Sequence, residues 1–160
     1  TTMGPMAHLR FADTVRRQTA AAVAGGATAH IATMDADDGG AYLTPQLLTG
    51  VTHDMEVMRE ESFGPVVGVM KVSGDDEAVA LMNDSRYGLT ASLWTPDVER
   101  AARVGDRVET GTVFLNRADY LDPGLCWTGV KDTGRGGGLS VIGYHNLTRP
   151  KSYHLKKVTP

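Results

Sequence analysis

The sequence predicts an α/β protein in which helices flank a mostly parallel sheet. Residues 66–116 alternate in the order strand, helix, strand, helix, strand, and that order is typical of crossover units. The chain has 160 residues, of which 41% are hydrophobic and 22% are charged. This length and composition are those of one ordinary globular domain with its own core.

The first predicted helix covers residues 8–23. Phe11, Val15 and Thr19 recur there at helical spacing, and Gly25-Gly26 ends the helix. Two strands are predicted next, with an acidic turn between them and a proline that places the second strand at a sheet edge or makes it irregular. The strands cover residues 29–34 and 42–48, and the turn covers residues 35–40.

Residues 66–72 form an almost uninterrupted apolar run, which predicts a strand covered on both faces. A helix then begins at Ser73-Gly74-Asp75-Asp76, and a strand follows over residues 89–94. Thr95-Pro96-Asp97 predicts the start of the next helix, with a cap residue, a proline at the first helical position and a carboxylate in the first turn. The last core strand covers residues 112–116.

The remainder of the chain changes character. Residues 118–138 hold six glycines and no strong periodicity, which predicts a long loop, and long loops inside compact domains are usually functional. A short helix over residues 139–147 and an extended segment over residues 151–157 are the last predicted elements.

Composition excludes several classes of protein. The 16 Lys+Arg and 19 Asp+Glu give a net charge of -3, without the basic block that binds nucleic acid or an anionic membrane. No apolar run is long enough to cross a bilayer, and no secretion leader is recognisable. Cys126 is the single cysteine, which fits a reducing compartment and predicts a cytoplasmic protein. The five histidines are scattered, so no metal site is predicted.

Two glycine-rich segments and the lone cysteine give weak signals. Residues 134–138 do not fit G-x-G-x-x-G, and residues 124–129 have the P-loop gap without the lysine that should follow it at once. A flexible loop is the better interpretation of both. Cys126 lies between Leu125 and Trp127, so it is predicted to be a small packed residue and not a nucleophile.

Glu60-Glu61-Ser62-Phe63-Gly64-Pro65 allows two interpretations that the residues alone leave open. The two carboxylates could simply be the solvated acidic end of a helix. Alternatively, a carboxylate at the rim of a strand can accept both hydroxyls of a ribose diol, and an adjacent aromatic ring can pack on a flat heterocycle.

Six motifs in one order resemble the C-terminal part of an NAD(P)-dependent aldehyde dehydrogenase. The first is the Glu60–Pro65 segment just quoted. The others are Ser85-Arg86-Tyr87-Gly88-Leu89, Trp94-Thr95-Pro96-Asp97, Glu109-Thr110-Gly111-Thr112-Val113-Phe114-Leu115-Asn116, Gly129-Val130-Lys131-Asp132-Thr133-Gly134-Arg135 and Arg149-Pro150-Lys151. The resemblance covers nearly the whole chain.

The resemblance implies an α/β catalytic-domain fold and oxidation of an aldehyde to an acid with NAD or NADP. In that family a cysteine thiolate attacks the aldehyde, the thiohemiacetal gives up a hydride, and a glutamate-activated water releases the acid. By resemblance Glu61 holds the nicotinamide ribose and Phe63 lies beside the nicotinamide. Trp127 falls where the family lines its aldehyde funnel, and Asn116 and Lys131 are structural.

The resemblance also implies what this chain lacks. The dinucleotide-binding half, the nucleophile and the general base belong upstream of the matched region, so the chain is expected to be inactive alone. Residues 1–148 are then part of the catalytic domain, and residues 149–160 form a strand-like arm that joins a homo-oligomer by edge pairing. The alternative is a stand-alone binding or oligomerisation module with no chemistry.

Departures from the family wording concern the substrate. Cys126-Trp127-Thr128-Gly129 replaces a common proline-phenylalanine-glycine-glycine, and Arg117, Asp119 and Tyr120 make the substrate-side loop unusually polar. Arg117 and Tyr120 are therefore candidate substrate-lining residues. Arg117 could pair with the carboxylate of a semialdehyde.

Overall fold

The computed structural model describes residues 3–32, 40–118 and 120–158. The chain divides into two compact units, Thr1–Ser73 and Gly74–Pro160. Most of the predicted acidic turn at 35–40 lies outside the described residues.

The first unit packs one long helix against a three-stranded sheet. Its elements are α1 (Leu9–Ala24), β1 (Thr28–Ala29), β2 (Gln46–Thr49), α2 (Glu56–Arg59) and β3 (Val66–Val69). The strand order is β1-β2-β3, with β2 parallel to β3 and β1 antiparallel to β2. The predicted first helix is therefore confirmed. Of the predicted strand at 29–34 the structure describes residues 29–32, and among these only Ala29 lies in a strand.

Helix α1 is amphipathic, and both core clusters of this unit include residues from it. Ala12 and Val15 pack with Leu43, and Ala22 packs with Ala27, Leu48 and Val51. His8 begins the helix, because its Nδ1 accepts a hydrogen bond from the Arg10 backbone N–H at 3.1 Å.

Strand β3 is covered on one face only, so the expectation of a strand buried on both faces is wrong for this chain. Val67 and Val69 are 55% and 50% exposed. Leu47, opposite Val67 on β2, is also exposed. Val66 instead faces inward, against the buried clusters of this unit.

The second unit is built around one parallel strand pair. Its elements are α3 (Asp75–Asn83), β4 (Tyr87–Gly88), β5 (Thr90–Leu93), α4 (Val98–Gly105), β6 (Thr112–Leu115), β7 (Trp127–Thr128), β8 (Val130–Lys131), β9 (Gly137–Gly138) and α5 (Ser140–Leu147). β5 and β6 are parallel, and the short pairs β4–β8 and β7–β9 are antiparallel. Val79, Ala91 and Val108 form its buried cluster, with Val104 packed against them.

Helix α4 begins two residues later than predicted, at a different cap. Asp97 is the cap residue, and its Oδ1 accepts from the Arg100 N–H at 2.8 Å. Thr95 acts one step earlier, because its Oγ1 accepts from the Asp97 N–H at 3.1 Å. Both residues are good caps, and Pro96 lies before the helix instead of inside it.

Asp97→Ala is expected to lower the free energy of unfolding by about 1 kcal/mol, because the Arg100 N–H loses its acceptor. Chemical denaturation measures this change. Glu99→Ala is the matched control, since the exposed Glu99 carboxylate lies 4.0 Å from Arg103 in an exposed pair on the same helix. Its removal should cost a few tenths of a kcal/mol at most, about the value of such a pair. Equal losses in the two variants would contradict the capping role of Asp97.

The predicted loop over residues 118–138 is more regular than expected, because β7, β8 and β9 all lie inside it. The predicted strand over residues 151–157 does not form within the chain. Residues 149–158 have no regular structure and are exposed. Within the described part of the chain, this segment pairs with no strand, so its backbone N–H and C=O groups take part in no sheet.

Candidate functional site

The turn that follows α2 carries the first two candidate residues. Glu60 closes α2, since its N–H donates to Glu56 O at 2.9 Å. Phe63 has φ 46, a left-handed backbone conformation that is unusual for a bulky side chain. Gly64 brings the turn close to α1, because a Cβ at this position would lie 2.6 Å from Val15 Cγ2 and 3.0 Å from Met6 Cε.

Glu61 and Phe63 are both exposed on this turn, two positions apart. The Phe63 side chain is 69% exposed. Its ring packs against that of Phe11 on α1, with centroids 6.3 Å apart and planes at 42°. The turn therefore offers a carboxylate and an open aromatic face, the chemistry suited to a sugar diol and a flat heterocycle.

The other three candidate residues line one cavity in the second unit. It has a volume of about 180 Å³ and opens beside β6. Its lining residues are Thr112, Val113, Phe114, Leu115, Arg117, Tyr120, Asp122, Leu125, Cys126, Trp127 and Leu139. The structure thus brings Arg117, Tyr120 and Trp127 together around one space, while Glu61 and Phe63 belong to the first unit.

Arg117 lies over the ring of Tyr120, with the guanidinium carbon 3.8 Å from the ring centroid. The Arg117 backbone is also fixed, because its carbonyl accepts a hydrogen bond from the Ser92 hydroxyl. Stacking uses the face of a guanidinium and directs its N–H groups sideways, in the plane where a carboxylate binds.

Cys126 lines the same cavity as a free, partly buried thiol. Its Sγ fills the space where a side chain on Gly137 would begin, 2.7 Å from the position of that Cβ. This packing agrees with the predicted role of Cys126 as a small packed residue. The sequence interpretation did not place Phe114, Leu125 and Leu139 in the lining, although the apolar character of strand β6 was a usable signal for Phe114.

The chain matches the aldehyde dehydrogenase family over residues 1–153. It belongs to that family. The succinate-semialdehyde dehydrogenase (NADP+) of Deinococcus radiodurans is 38% identical over 151 residues, which are 94% of this chain and 32% of that protein. The succinate semialdehyde dehydrogenase (NAD(P)+) Sad of Escherichia coli is 35% identical over 91% of this chain and 31% of its own length.

This chain superposes on part of solved aldehyde dehydrogenase structures. Lactaldehyde dehydrogenase from Escherichia coli superposes with a TM-score of 0.82 at 31% identity, covering 90% of this chain and 30% of that one. Betaine aldehyde dehydrogenase from Staphylococcus aureus, solved with NAD+, gives 0.81 at 30% identity, over 91% of this chain and 30% of that one. The predicted α/β class is confirmed. The chain spans about a third of the length of the relatives it matches.

Lys131 and Asn116 act as braces in this aldehyde dehydrogenase chain, as the sequence interpretation expected. Lys131 Nζ donates to Asn83 O at 2.7 Å and Ser85 O at 2.9 Å, and pairs with Glu109 Oε2 at 2.7 Å. The Asn116 amide accepts from Thr95 N and donates to Thr95 O, both at 2.9 Å.

Two exposed arginine–carboxylate pairs, which include none of the candidate residues, link helices of the aldehyde dehydrogenase chain. Arg17 donates to Glu56 Oε1 at 2.7 Å, and this hydrogen bond lowers the pKa of the Glu56 carboxyl. Arg100 likewise lowers the pKa of Asp75 by hydrogen bonding to it, with Nε 2.8 Å from Oδ2. These exposed pairs tie α1 to α2 and α4 to α3, and they have no part in the proposed chemistry.

Within residues 3–32, 40–118 and 120–158, no group of His, Cys, Asp and Glu side chains could hold a metal ion. No helix in the described part of the chain is long and apolar enough to cross a membrane.

Proposed function

We propose that this chain is the C-terminal part of an NAD(P)-dependent enzyme that oxidises an aldehyde to a carboxylic acid through a cysteine thiohemiacetal. Its membership of the family and the cofactors named for its relatives support this proposal. The chain contributes contacts to the nicotinamide end of the cofactor and part of the aldehyde funnel. The nucleophile and the general base are supplied from outside residues 1–160.

Glu61 and Phe63 are the proposed cofactor contacts, and both lie in the first unit. Bound NAD(P)+ would accept the hydride that leaves the substrate carbon. The Glu61 carboxylate can accept both hydroxyls of the nicotinamide ribose, and the exposed Phe63 ring can pack beside the nicotinamide. The observation that carries this assignment is the open, left-handed turn that exposes both residues together.

The proposed substrate contacts lie in the second unit and are Trp127, Arg117 and Tyr120. The stacked Arg117 guanidinium is a site for a carboxylate at the far end of the substrate, while Trp127 and its apolar neighbours surround the carbon chain. We therefore propose an aldehyde that carries an acidic group. Two of the relatives just described act on succinate semialdehyde by name, which agrees with this class.

The C-terminal segment is the proposed contact between subunits. Tyr153, Leu155 and Val158 are at least 70% exposed on a segment without regular structure. An extended segment with free backbone groups can add to the sheet edge of a second copy. This exposed segment also favours the second candidate function, a cytoplasmic oligomerisation or binding module without chemistry of its own.

Glu61→Gln tests the proposed reaction in the natural protein that contains this chain. The expected result is a fall in kcat for aldehyde oxidation of roughly 10-fold or more, because a neutral amide loses a charge-assisted hydrogen bond to the ribose worth about 1.5–3 kcal/mol. The KM for NAD(P)+ should rise as well. Steady-state absorbance of NAD(P)H gives both constants.

Glu60→Gln is the matched control, since Glu60 is the adjacent exposed carboxylate. It should keep kcat within about twofold, because it changes the same charge without touching the ribose. An equal loss in both variants would remove Glu61 from the cofactor site. A wild-type protein that oxidises no aldehyde with either cofactor would instead establish the non-catalytic module.

Arg117→Met tests the proposed substrate class. The ratio of kcat/KM for succinate semialdehyde to that for a neutral aldehyde of similar length should fall roughly 10- to 100-fold, because a charged hydrogen-bonding partner is lost. Arg103→Met, on the exposed surface of α4, should leave this ratio unchanged. An unchanged ratio in Arg117→Met would show that Arg117 does not bind the carboxylate of the substrate.

A further inference from the structure

The Phe63 ring needs a partner to hold it in one orientation. It is 69% exposed, so few neighbouring atoms restrict its side-chain rotation. The backbone beside Phe63 is better held than its ring. Gly64 fits closely against Val15 on α1, and the Val66 N–H donates to Gly64 O at 2.8 Å. The turn thus places the Phe63 Cα firmly and leaves the direction of the ring to its side-chain contacts.

Phe11 supplies the ring contact that the structure gives Phe63. The two centroids are 6.3 Å apart at an interplanar angle of 42°, within the range of favourable aromatic pairs. Phe11 is itself held from two sides. The His8 ring meets it edge-on with centroids 6.3 Å apart, and the Arg10 guanidinium lies 4.8 Å from its centroid.

We propose that Phe11 is a positioning residue for the nicotinamide, because it holds the Phe63 ring against which the nicotinamide packs. This inference rests on the proposed function. Phe11 does not touch the reacting atoms and belongs to neither buried cluster of its unit. An aromatic pair of this kind shifts the population of side-chain orientations roughly 2- to 10-fold, which is enough to change a rate and too little to decide folding.

The experiment measures a double-mutant cycle in the natural protein. Phe11→Leu removes the ring and keeps an apolar helix former, and Phe11→Tyr keeps the ring as the conservative rescue. Phe11→Leu should lower kcat roughly 2- to 10-fold, leave the KM for the aldehyde unchanged, and change the fluorescence of bound NAD(P)H. Phe11→Tyr should restore all three values, and the Tm of each variant should stay near that of the wild type.

The cycle separates positioning from a direct role. In Phe63→Leu, the further change Phe11→Leu should cost nothing more, because Phe11 acts through the Phe63 ring. Independent losses that multiply in the double variant would overturn the proposal. The proposal would also be overturned if Phe11→Tyr had the same lowered kcat as Phe11→Leu, or if the lowered kcat were accompanied by a lowered Tm.

Failure of this inference and failure of the proposed function give different results. If Phe63→Leu lowers kcat and changes the NAD(P)H fluorescence while Phe11→Leu does neither, the cofactor site stands and only the role of Phe11 is wrong. If Phe63→Leu itself leaves both unchanged, Phe63 does not contact the nicotinamide, and the assignment of the cofactor side is wrong together with this inference.

Discussion

Gly111→Ala is expected to lower the free energy of unfolding by about 3 kcal/mol or more, the upper end of the cost of overpacking. A Cβ at this position would lie 1.6 Å from Thr128 O, 2.3 Å from Thr128 C and 2.9 Å from the Gly129 N. All three atoms belong to the backbone, so no side-chain rotation can relieve the clash.

The surrounding hydrogen bonds oppose a backbone shift. The Gly111 N–H donates to Gly88 O at 3.1 Å, which fixes the start of β6 against β4. On the other side, the Thr128 hydroxyl donates to Gly136 O at 2.7 Å, and β7 pairs with β9. Moving either backbone to admit a methyl group breaks one of these contacts. Trp127, the residue before Thr128, lines the cavity beside β6, so a shift of this backbone also disturbs the cavity.

Gly74→Ala is the control for Gly111→Ala. A Cβ on Gly74 would meet nothing within 4 Å, and Gly74 lies in the same unit with extended backbone at φ 178. The control should change the free energy of unfolding by less than about 1 kcal/mol. Urea denaturation of both variants measures the difference, and comparable losses would show that the close approach at Gly111 relaxes at little cost.

Local sequence patterns predicted the order of the elements because helix periodicity and apolar runs are local properties. The face that a strand exposes is not such a property. Val67 and Val69 belong to an apolar run typical of strands that are buried on both faces. Both are exposed, because burial depends on which elements pack against the strand. The cap residue of α4 was predicted wrongly because the sequence offers two suitable residues. Thr95 and Asp97 are both favourable cap residues, and only the hydrogen-bond geometry shows that Asp97 is the cap.

The candidate site, too, was predictable only in part. The family resemblance gave Trp127 as a candidate substrate-lining residue, and departures from the family pattern gave Arg117 and Tyr120. The structure places all three around one cavity. Their roles stay predictions until substrate preference is measured. The contact between Phe11 and Phe63 could not be predicted, because it joins a helix to a distant turn whose left-handed residue has no sequence signature such as glycine.

Lys131→Met is expected to lower the free energy of unfolding by about 2 kcal/mol, because two backbone carbonyls lose a charged donor. Asn83 and Ser85, which supply these carbonyls, are half-buried, so water replaces the lysine only in part. The third partner contributes less. The Glu109 side chain is 58% exposed, whereas that of Lys131 is 23% exposed, and a carboxylate so open to water gains little from an ion pair.

Glu109→Gln separates the two contributions. It removes the ion pair and keeps both hydrogen bonds from the Lys131 ammonium to the backbone carbonyls. It should lower the free energy of unfolding by less than about 1 kcal/mol, and this effect should vanish at high salt. Lys71→Met, at an exposed lysine of the other unit, controls for the loss of a surface charge and should be nearly neutral. If Glu109→Gln cost as much as Lys131→Met in urea denaturation, the ion pair and not the carbonyl contacts would be the brace. The equal loss would then identify the Glu109 carboxylate, despite its exposure, as the group that fixes β8.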